Sequence, residues 1–314
     1  MRTIKTKIGY KIIDSYKNSN KNILGVILDC NNCDFYNLKE NIIYKFDVKS
    51  DLESQKNLNK ELKSILKYAF QNGIYQLNLV FSSAENMMIN AEKLLDNNNI
   101  KYIVFSGCEN ICENILEDIN IFLEKFSLIA AFVQADSDAF KLDKQSYSKI
   151  FFHTVKNNAD VKNFIPLISM ASAVAASDDL TNFRGKKLVG DFSDFHEIIQ
   201  NSNILDYSFK HVIIDKIKNQ DNVNLECIEK SDYIFNFIKK QITKNFKNRV
   251  NTSTKLEAIK FQIYMILYNF KEDKLIKDFS VPKVSFADES CVIELDFSVS
   301  DYFEEIKINT EIII

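Results

Sequence analysis

Ile23-Leu-Gly-Val-Ile-Leu28 is a run without a single polar side chain. A strand with one wet face alternates apolar and polar residues. An unbroken apolar run belongs to a strand covered on both faces, as in a parallel sheet flanked by helices. The fold class turns on whether the following stretches alternate between helix and strand as such a sheet requires.

They do. Ile42 to Val48 reads as a second strand. Ser50 and Asp51 can cap a helix bearing Leu58, Leu62, Ile65, Leu66, Ala69 and Phe70, and Asn72-Gly73 ends it. Strand Ile74 to Phe81 follows, then a helix from Ser83 through Met87, Ala91, Leu94 and Leu95, and strand Ile100 to Phe105. A helix with Ile111, Ile115, Ile119, Phe122 and Phe126 leads to strands Leu128 to Val133 and Ile150 to Val155. This succession predicts an α/β domain over residues 22–229, built on a mostly parallel layered sheet with helices. Its later part holds a small-residue-rich helix, Phe164 to Ala176, a polar loop, and a helix from Ser193 to Asn201. A hairpin of His211–Ile217 with Val223–Ile228 closes it, turning at Asn219-Gln-Asp-Asn222.

Beyond it, residues 230–301 read as a smaller α+β C-terminal domain. Ser231 caps a helix whose stripe is Ile234, Phe235, Ile238, Ile242 and Phe246, with Lys239, Lys240, Lys244 and Lys247 on a basic side. That side is either a solvated face or a contact for an acidic partner. A second helix, Ser253 to Phe270, carries Leu256, Ile259, Ile263, Ile266 and Leu267, and strands Phe279–Phe286 and Ser290–Val299 follow.

Extended strand-like arms stand at both termini. In residues 1–21, Ile4, Thr6, Ile8, Tyr10 and Ile12 alternate with Lys5, Lys7 and Lys11. In residues 302–314, Ile306, Ile308, Thr310, Ile312 and Ile314 share one strand face against Lys307, Asn309 and Glu311. Terminal segments fray unless something pairs them, so each arm needs a sheet in its own subunit or in a neighbour.

The motifs of chemistry are missing where this fold would put them. Asp29-Cys-Asn-Asn-Cys-Asp-Phe35, after the first strand, has none of the glycines that let backbone amides approach a phosphate, and no GK[ST] ending occurs. Cys30 and Cys33 form a CxxC, open to redox chemistry or half a zinc site, but no second pair matches it; Cys108 and Cys112 are spaced differently. Asp136, Asp138 and Asp143 lack the glycine and terminal glutamate of a calcium loop and read as a solvated acidic turn. His153, His196 and His211 have no assignable nucleophile and read as structural or surface residues. No catalytic, metal or cofactor-binding residue is assigned, no cofactor is expected, and the expectation is a protein that is not an enzyme. The net charge is only −3 and the charges are interspersed, so no basic face points to nucleic acid and no polybasic tail to lipid. The N-terminus lacks a signal-peptide core and no run approaches the ~20 apolar residues of a membrane span, which places the chain in the cytoplasm where it is made.

The order of parts resembles the contractile tail sheath proteins of bacteriophages and phage-tail-like particles, in their short, divergent, prophage-type form. The residues that carry the resemblance are Ile23 to Leu28 after an arm and Phe46-Asp-Val-Lys-Ser-Asp-Leu52 before the helix ending Ala69-Phe-Gln-Asn-Gly73. With them go Met170 to Ala176 leading through Thr181 to Lys187-Leu-Val-Gly190, and the C-terminal helix pair closing on Glu304-Glu-Ile-Lys-Ile308. The resemblance implies a structural subunit that forms a homo-oligomer of stacked hexameric rings around an inner tail tube protein, bounded by baseplate and terminator proteins. Such a sheath contracts to drive the tube through a target envelope. It also implies arms that add strands to the C-terminal sheets of neighbours, a basic helix side facing the tube, and no nucleic acid or membrane contact in the assembled sheath. The location would be the virion tail, assembled in the bacterial cytoplasm. Two other readings stay open: an α/β small-molecule-binding protein or enzyme whose terminal strands complete its own sheet, and a single-ring tail adaptor or initiator.

Overall fold

A computed structural model describes residues 22–29, 38–47, 58–95, 100–106, 113–126, 128–136, 149–155, 164–177, 183, 185–195, 198–199, 202, 204–208, 211–214, 217–218, 223–246, 253–287, 290–300 and 305–313. They fall into two compact units that divide between positions 222 and 223.

The first unit is built on six strands: β1 (Ile23–Asp29), β2 (Ile43–Asp47), β3 (Gln76–Ser82), β4 (Tyr102–Ser106), β5 (Ala130–Asp136) and β6 (Ile150–Val155). Their order is β2-β3-β1-β4-β5-β6, parallel throughout except for β2, which runs antiparallel along β3 at one edge. The unbroken apolar run therefore lies inside the sheet, and Ile23 to Leu28 are buried.

Helices α2 (Met87–Leu95) and α3 (Glu113–Lys125) cover one face. There Met87, Ala91, Leu94, Leu116, Ile119 and Leu123 close over Ile27, Val80, Phe105 and Val133. On the other face, helix α4 (Phe164–Ala175) lies across β1, β4 and β5, and α1 (Lys60–Gln71) packs on α4. Every α4 residue from Phe164 to Val174 is buried. Its small side chains let both layers approach, and the hydroxyls of Ser169 and Ser172 donate to the carbonyls of Ile165 (2.7 Å) and Ile168 (2.6 Å), which satisfies them inside an apolar layer. Tyr102, Phe132 and Phe151 form a ladder on this face, with centroids 6.1 and 6.0 Å apart.

Several expectations change. The α1 cap is Asn59, whose Oδ1 accepts from the Leu62 amide at 2.8 Å. Leu58 precedes the helix, and Ser50 and Asp51 lie outside the described residues. Where a helix from Ser193 to Asn201 was expected, the chain opens with a 3-10 turn, Ser193–Phe195, and is helical at Ile198 and Ile199. The hairpin exists with a different mate: β8 (His211–Ile214) pairs antiparallel with β7 (Leu205–Ser208). Val223–Ile228 instead leads into helix α5 (Leu225–Phe246). The α5 helix thus begins six residues before Ser231, which is buried within it and donates to the Cys227 carbonyl at 2.7 Å. A boundary after residue 229 would cut this helix.

The second unit holds α5, α6 (Ser253–Glu272) and four strands: β9 (Ile276–Phe279), β10 (Lys283–Ala287), β11 (Ser290–Ser300) and β12 (Glu305–Ile313). The single strand expected over Phe279–Phe286 is two strands separated by Ser280–Pro282, because proline offers no N–H to a ladder.

Candidate assembly surface

The long strand β11 organises the second unit. Both β9 and β10 pair with it antiparallel, through its later and earlier residues respectively, and β12 pairs antiparallel with it as well. Alternation along β11 buries Ile293, Leu295, Phe297 and Val299 and leaves Glu294 exposed. The helices cover the apolar face: Phe235 of α5 meets Phe297 (centroids 5.3 Å apart), and Tyr233 and Phe237 of α5 meet Phe270 of α6 at 5.9 and 5.4 Å. Ile259, Ile263 and Leu267 form the inner stripe of α6.

The register of β12 answers the question of whose sheet the C-terminal arm joins in the isolated chain. Ile306, Ile308, Thr310 and Ile312 stand opposite Val299, Phe297, Leu295 and Ile293 of the same subunit. The period of two seen in the tail is thus in phase with the buried period of β11. On the alternate positions, Asn309 is opposite Asp296 and Glu311 opposite Glu294. Ile314 and the N-terminal arm residues Ile4, Thr6, Ile8, Tyr10 and Ile12 lie outside the described residues.

Lys239, Lys240 and Lys244 are exposed on α5, and Lys247 lies outside the described residues. Two ion pairs of this unit are solvent-facing: Lys271 to Asp278 at 2.7 Å and Lys283 to Glu294 at 3.4 Å. The hydrogen bond from Lys271 is the main reason the Asp278 carboxyl sits below the usual carboxylate range. Pairs this exposed orient side chains more than they stabilise the fold.

Sequence reasoning identified the inner stripe of α6 and missed the outer one. Phe261, Tyr264, Met265 and Tyr268 are exposed, Phe261 by 65%. The available signal was a charge-free run from Phe261 to Phe270, too long for a helix with one wet face.

In the first unit, β1 has β3 on one side and β4 on the other, so the strand order reverses there and the carboxyl ends of β1 and β4 bound the crevice where α/β proteins hold ligands. The segments that follow those ends, 30–37 and 107–112, lie outside the described residues and include Cys30, Cys33, Cys108 and Cys112; so do Asp138, Asp143 and His196. Among the described residues no group of three or more His, Cys, Asp or Glu could hold a metal, and no helix is long and apolar enough to cross a membrane. His153 on β6 is fully buried, with no hydrogen-bond partner at either ring nitrogen. Burial holds its pKa down at about 4, so it is a neutral core residue at ordinary pH.

No family model matches this chain, and no curated protein matches it by sequence. Its three-dimensional arrangement is similar to that of the sheath tail protein from Desulfitobacterium hafniense, with a TM-score of 0.60 over 94% of this chain and 97% of that one, at 8% sequence identity. The chain has a sheath tail protein fold. The sheath-type fold spans both units, so the α/β class with a mostly parallel sheet and a smaller C-terminal part is shared along nearly the whole chain. At this identity the likeness lies in the backbone and transfers no residue roles.

Proposed function

We propose that this chain is the structural subunit of a contractile tail sheath. Subunits polymerise as stacked hexameric rings around an inner tube, between baseplate and terminator proteins, and contraction drives the tube through a target envelope. The observation that carries the reading is the likeness to a sheath tail protein over almost the full length of both chains. On this reading β12 is a removable edge strand: its phase matches the buried face of β11, and an identical β11 in a neighbour offers the same match. Exchange of an identical element between subunits replaces each intramolecular ladder with an equivalent intermolecular one. The N-terminal arm, Ile4 to Ile12, is the second tether, and Lys239, Lys240, Lys244 and Lys247 face the tube. The work of the protein is rigid-body rearrangement rather than bond-making, in a virion tail or tail-like particle assembled in the bacterial cytoplasm.

Pairing of β12 within its own subunit also favours a second reading, an α/β binding protein or enzyme whose terminal strand stays at home. Negative-stain electron microscopy of the full-length protein separates the two. The sheath reading expects hollow tubes or stacked rings that are lost on deleting residues 302–314 or 1–21. Full-length tubes from arm-deleted protein would sink the tether assignment. A monomer or dimer stabilised against heat by one specific small molecule would support the binder.

A further inference from the structure

The two helices over one face of the first unit carry the same outward pattern. Glu85-Asn-Met-Met-Ile89-Asn-Ala-Glu92-Lys93, which opens and forms α2, and Glu117-Asp-Ile-Asn-Ile121-Phe-Leu-Glu124-Lys125 in α3 share Glu, Ile, Glu and Lys at identical spacing. All the shared residues are exposed, Ile89 and Ile121 by 55% each. The helices run parallel, since each returns the chain between parallel strands, and they touch, with Lys125 Nζ 2.7 Å from Glu92. The result is a furrow with an isoleucine on each bank and an acidic surround. Lys125 is engaged by Glu92, and Lys93 donates to Asn90 at 3.4 Å. Glu85, Glu117, Asp118 and Glu124 have no ion-pair partner among the described residues.

We infer that this furrow holds the chain's own N-terminal arm, residues 1–21, in the free subunit. Composition selects that occupant. An acidic face with apolar banks fits a segment that is basic and apolar together. The arm has six basic residues against one acid, and its Lys5, Lys7 and Lys11 alternate with Ile4, Ile8 and Ile12. The other basic surface, the Lys239, Lys240 and Lys244 side of α5, exposes no large apolar residue among the described ones to meet Ile89 and Ile121.

The arm also starts in the right place. It joins the sheet at Asn22, whose carbonyl accepts from the Tyr75 and Gln76 amides at 2.8 and 3.2 Å. From there β1 runs between β3 and β4 with α2 packed on it. The amino ends of these strands are the carboxyl ends of α2 and α3, so the arm leaves at the foot of the furrow. Its polar stretch from Asp14 to Lys21 reaches about 26 Å when extended, enough to clear a helix layer about 10 Å thick and bring Ile4 to Ile12 onto the acidic face. A segment tethered this closely meets its own body at roughly millimolar effective concentration, which favours the same copy. Exposed ion pairs are weak singly, so the arm is given up when a sheet edge offers it a ladder. The contact belongs to the free chain and stands independently of the sheath reading.

The test is chymotrypsin cleavage of the arm in dilute full-length protein, because the sites at Tyr10 and Tyr16 survive every charge change below. Cleavage follows the population of released arm. The parent should be cut slowly, and the variant carrying Glu117→Lys and Glu124→Lys about tenfold faster. Adding Lys5→Glu and Lys7→Glu should return the rate to within a few-fold of the parent. An unchanged circular-dichroism spectrum checks that these exposed positions are not needed for folding. In parallel, carbodiimide coupling of mixed isotope-labelled and unlabelled protein should join Lys5, Lys7 or Lys11 to Glu85, Glu117, Asp118 or Glu124 within one copy. Equal cleavage rates in parent and furrow variant, or a swap that does not rescue, would overturn the inference. So would links found only between labelled and unlabelled copies, which would give the furrow to another copy's arm, and links from the furrow acids to Lys239, Lys240 or Lys244 instead, which would give it to α5.

Discussion

Asn72 pairs with the backbone of Val189 as a neighbouring strand would: its Nδ2 donates to the Val189 carbonyl at 3.0 Å, and its Oδ1 accepts from the Val189 amide at 2.9 Å. The side chain is largely buried and also donates to the Tyr68 carbonyl at 2.8 Å. It thereby ends α1 and holds the segment after α4 against it. Asn72→Leu should cost about 2–4 kcal/mol, because it removes three side-chain bonds to the backbone from a largely buried position. Urea unfolding measures it; a change under about 0.5 kcal/mol would mean the clamp contributes nothing.

The next residues depend on the same helix. Gly190 has φ +147°, and a Cβ there would run into the Tyr68 ring. The Tyr68 hydroxyl donates to the Asp191 carbonyl, and its ring packs on Phe192 and Phe195, with centroids 5.2 and 6.3 Å away. Burial first, then the charges of Asp191 and Asp194, raise the Tyr68 pKa. Gly190→Ala should destabilise by about 2–4 kcal/mol through strain and overpacking. In a double-mutant cycle, Tyr68→Ala should recover part of that cost, a coupling of about 1 kcal/mol or more. Strict additivity would place the cost in the backbone alone.

His153 sets an acid limit. Its pKa falls from 6.5 to about 4 on folding, because burial disfavours the charged ring. Above pH 6.5 it is neutral in both states and costs nothing in protonation. As pH falls from 6.5 towards 4, only the unfolded chain takes the proton, so stability is lost across that window, to roughly 3 kcal/mol in total. His153→Phe should flatten the loss between pH 7 and 4 by about that amount in parallel denaturant titrations. Identical pH slopes in parent and variant would show that the histidine is solvated or paired.

A further fixed point is the end of α4, where Lys186 Nζ donates to the Ala173 carbonyl at 2.7 Å and to the Ser177 hydroxyl. A cation at a helix C-terminus satisfies an orphan carbonyl and complements the helix dipole. Lys186→Met should lower stability by about 1–2 kcal/mol while keeping the aliphatic stem. Lys186→Arg should recover most of it, and equal losses in both variants would place the effect in packing.

Apolar runs made two strands legible: Ile23–Asp29 inside the sheet and Ile150–Val155 at its edge lie where their composition puts them. The misread part was Val223–Ile228. Val223, Leu225 and Cys227 alternate with polar residues as in a strand, yet Leu225 and Ile228 also sit one helical turn apart, and packing in the second unit decides for the helix. The strand β7 went unseen because Leu205–Ser208 is four residues with an aspartate inside. The Asn72–Val189 clamp spans 117 positions, and no local pattern announces a contact between residues so distant. On the assembly surface, the alternation of the tail announced a strand and its apolar phase. The partner could not be read, because Ile306 to Ile312 match the β11 of any copy equally well.

That ambiguity is where the account is most directly open to measurement. Asp296 and Asn309 stand opposite each other in the β11–β12 register. Protein carrying Asp296→Cys is mixed with protein carrying Asn309→Cys, allowed to assemble, and treated with a short thiol-reactive bridge, with bridged peptides mapped by mass spectrometry. If β12 is shared between subunits, the assembled material must give bridges between residue 296 of one variant and residue 309 of the other. If those bridges are absent from the mixture, while a chain carrying both substitutions is bridged only to itself in the same assembled material, β12 stays in its own subunit and the tether account is contradicted.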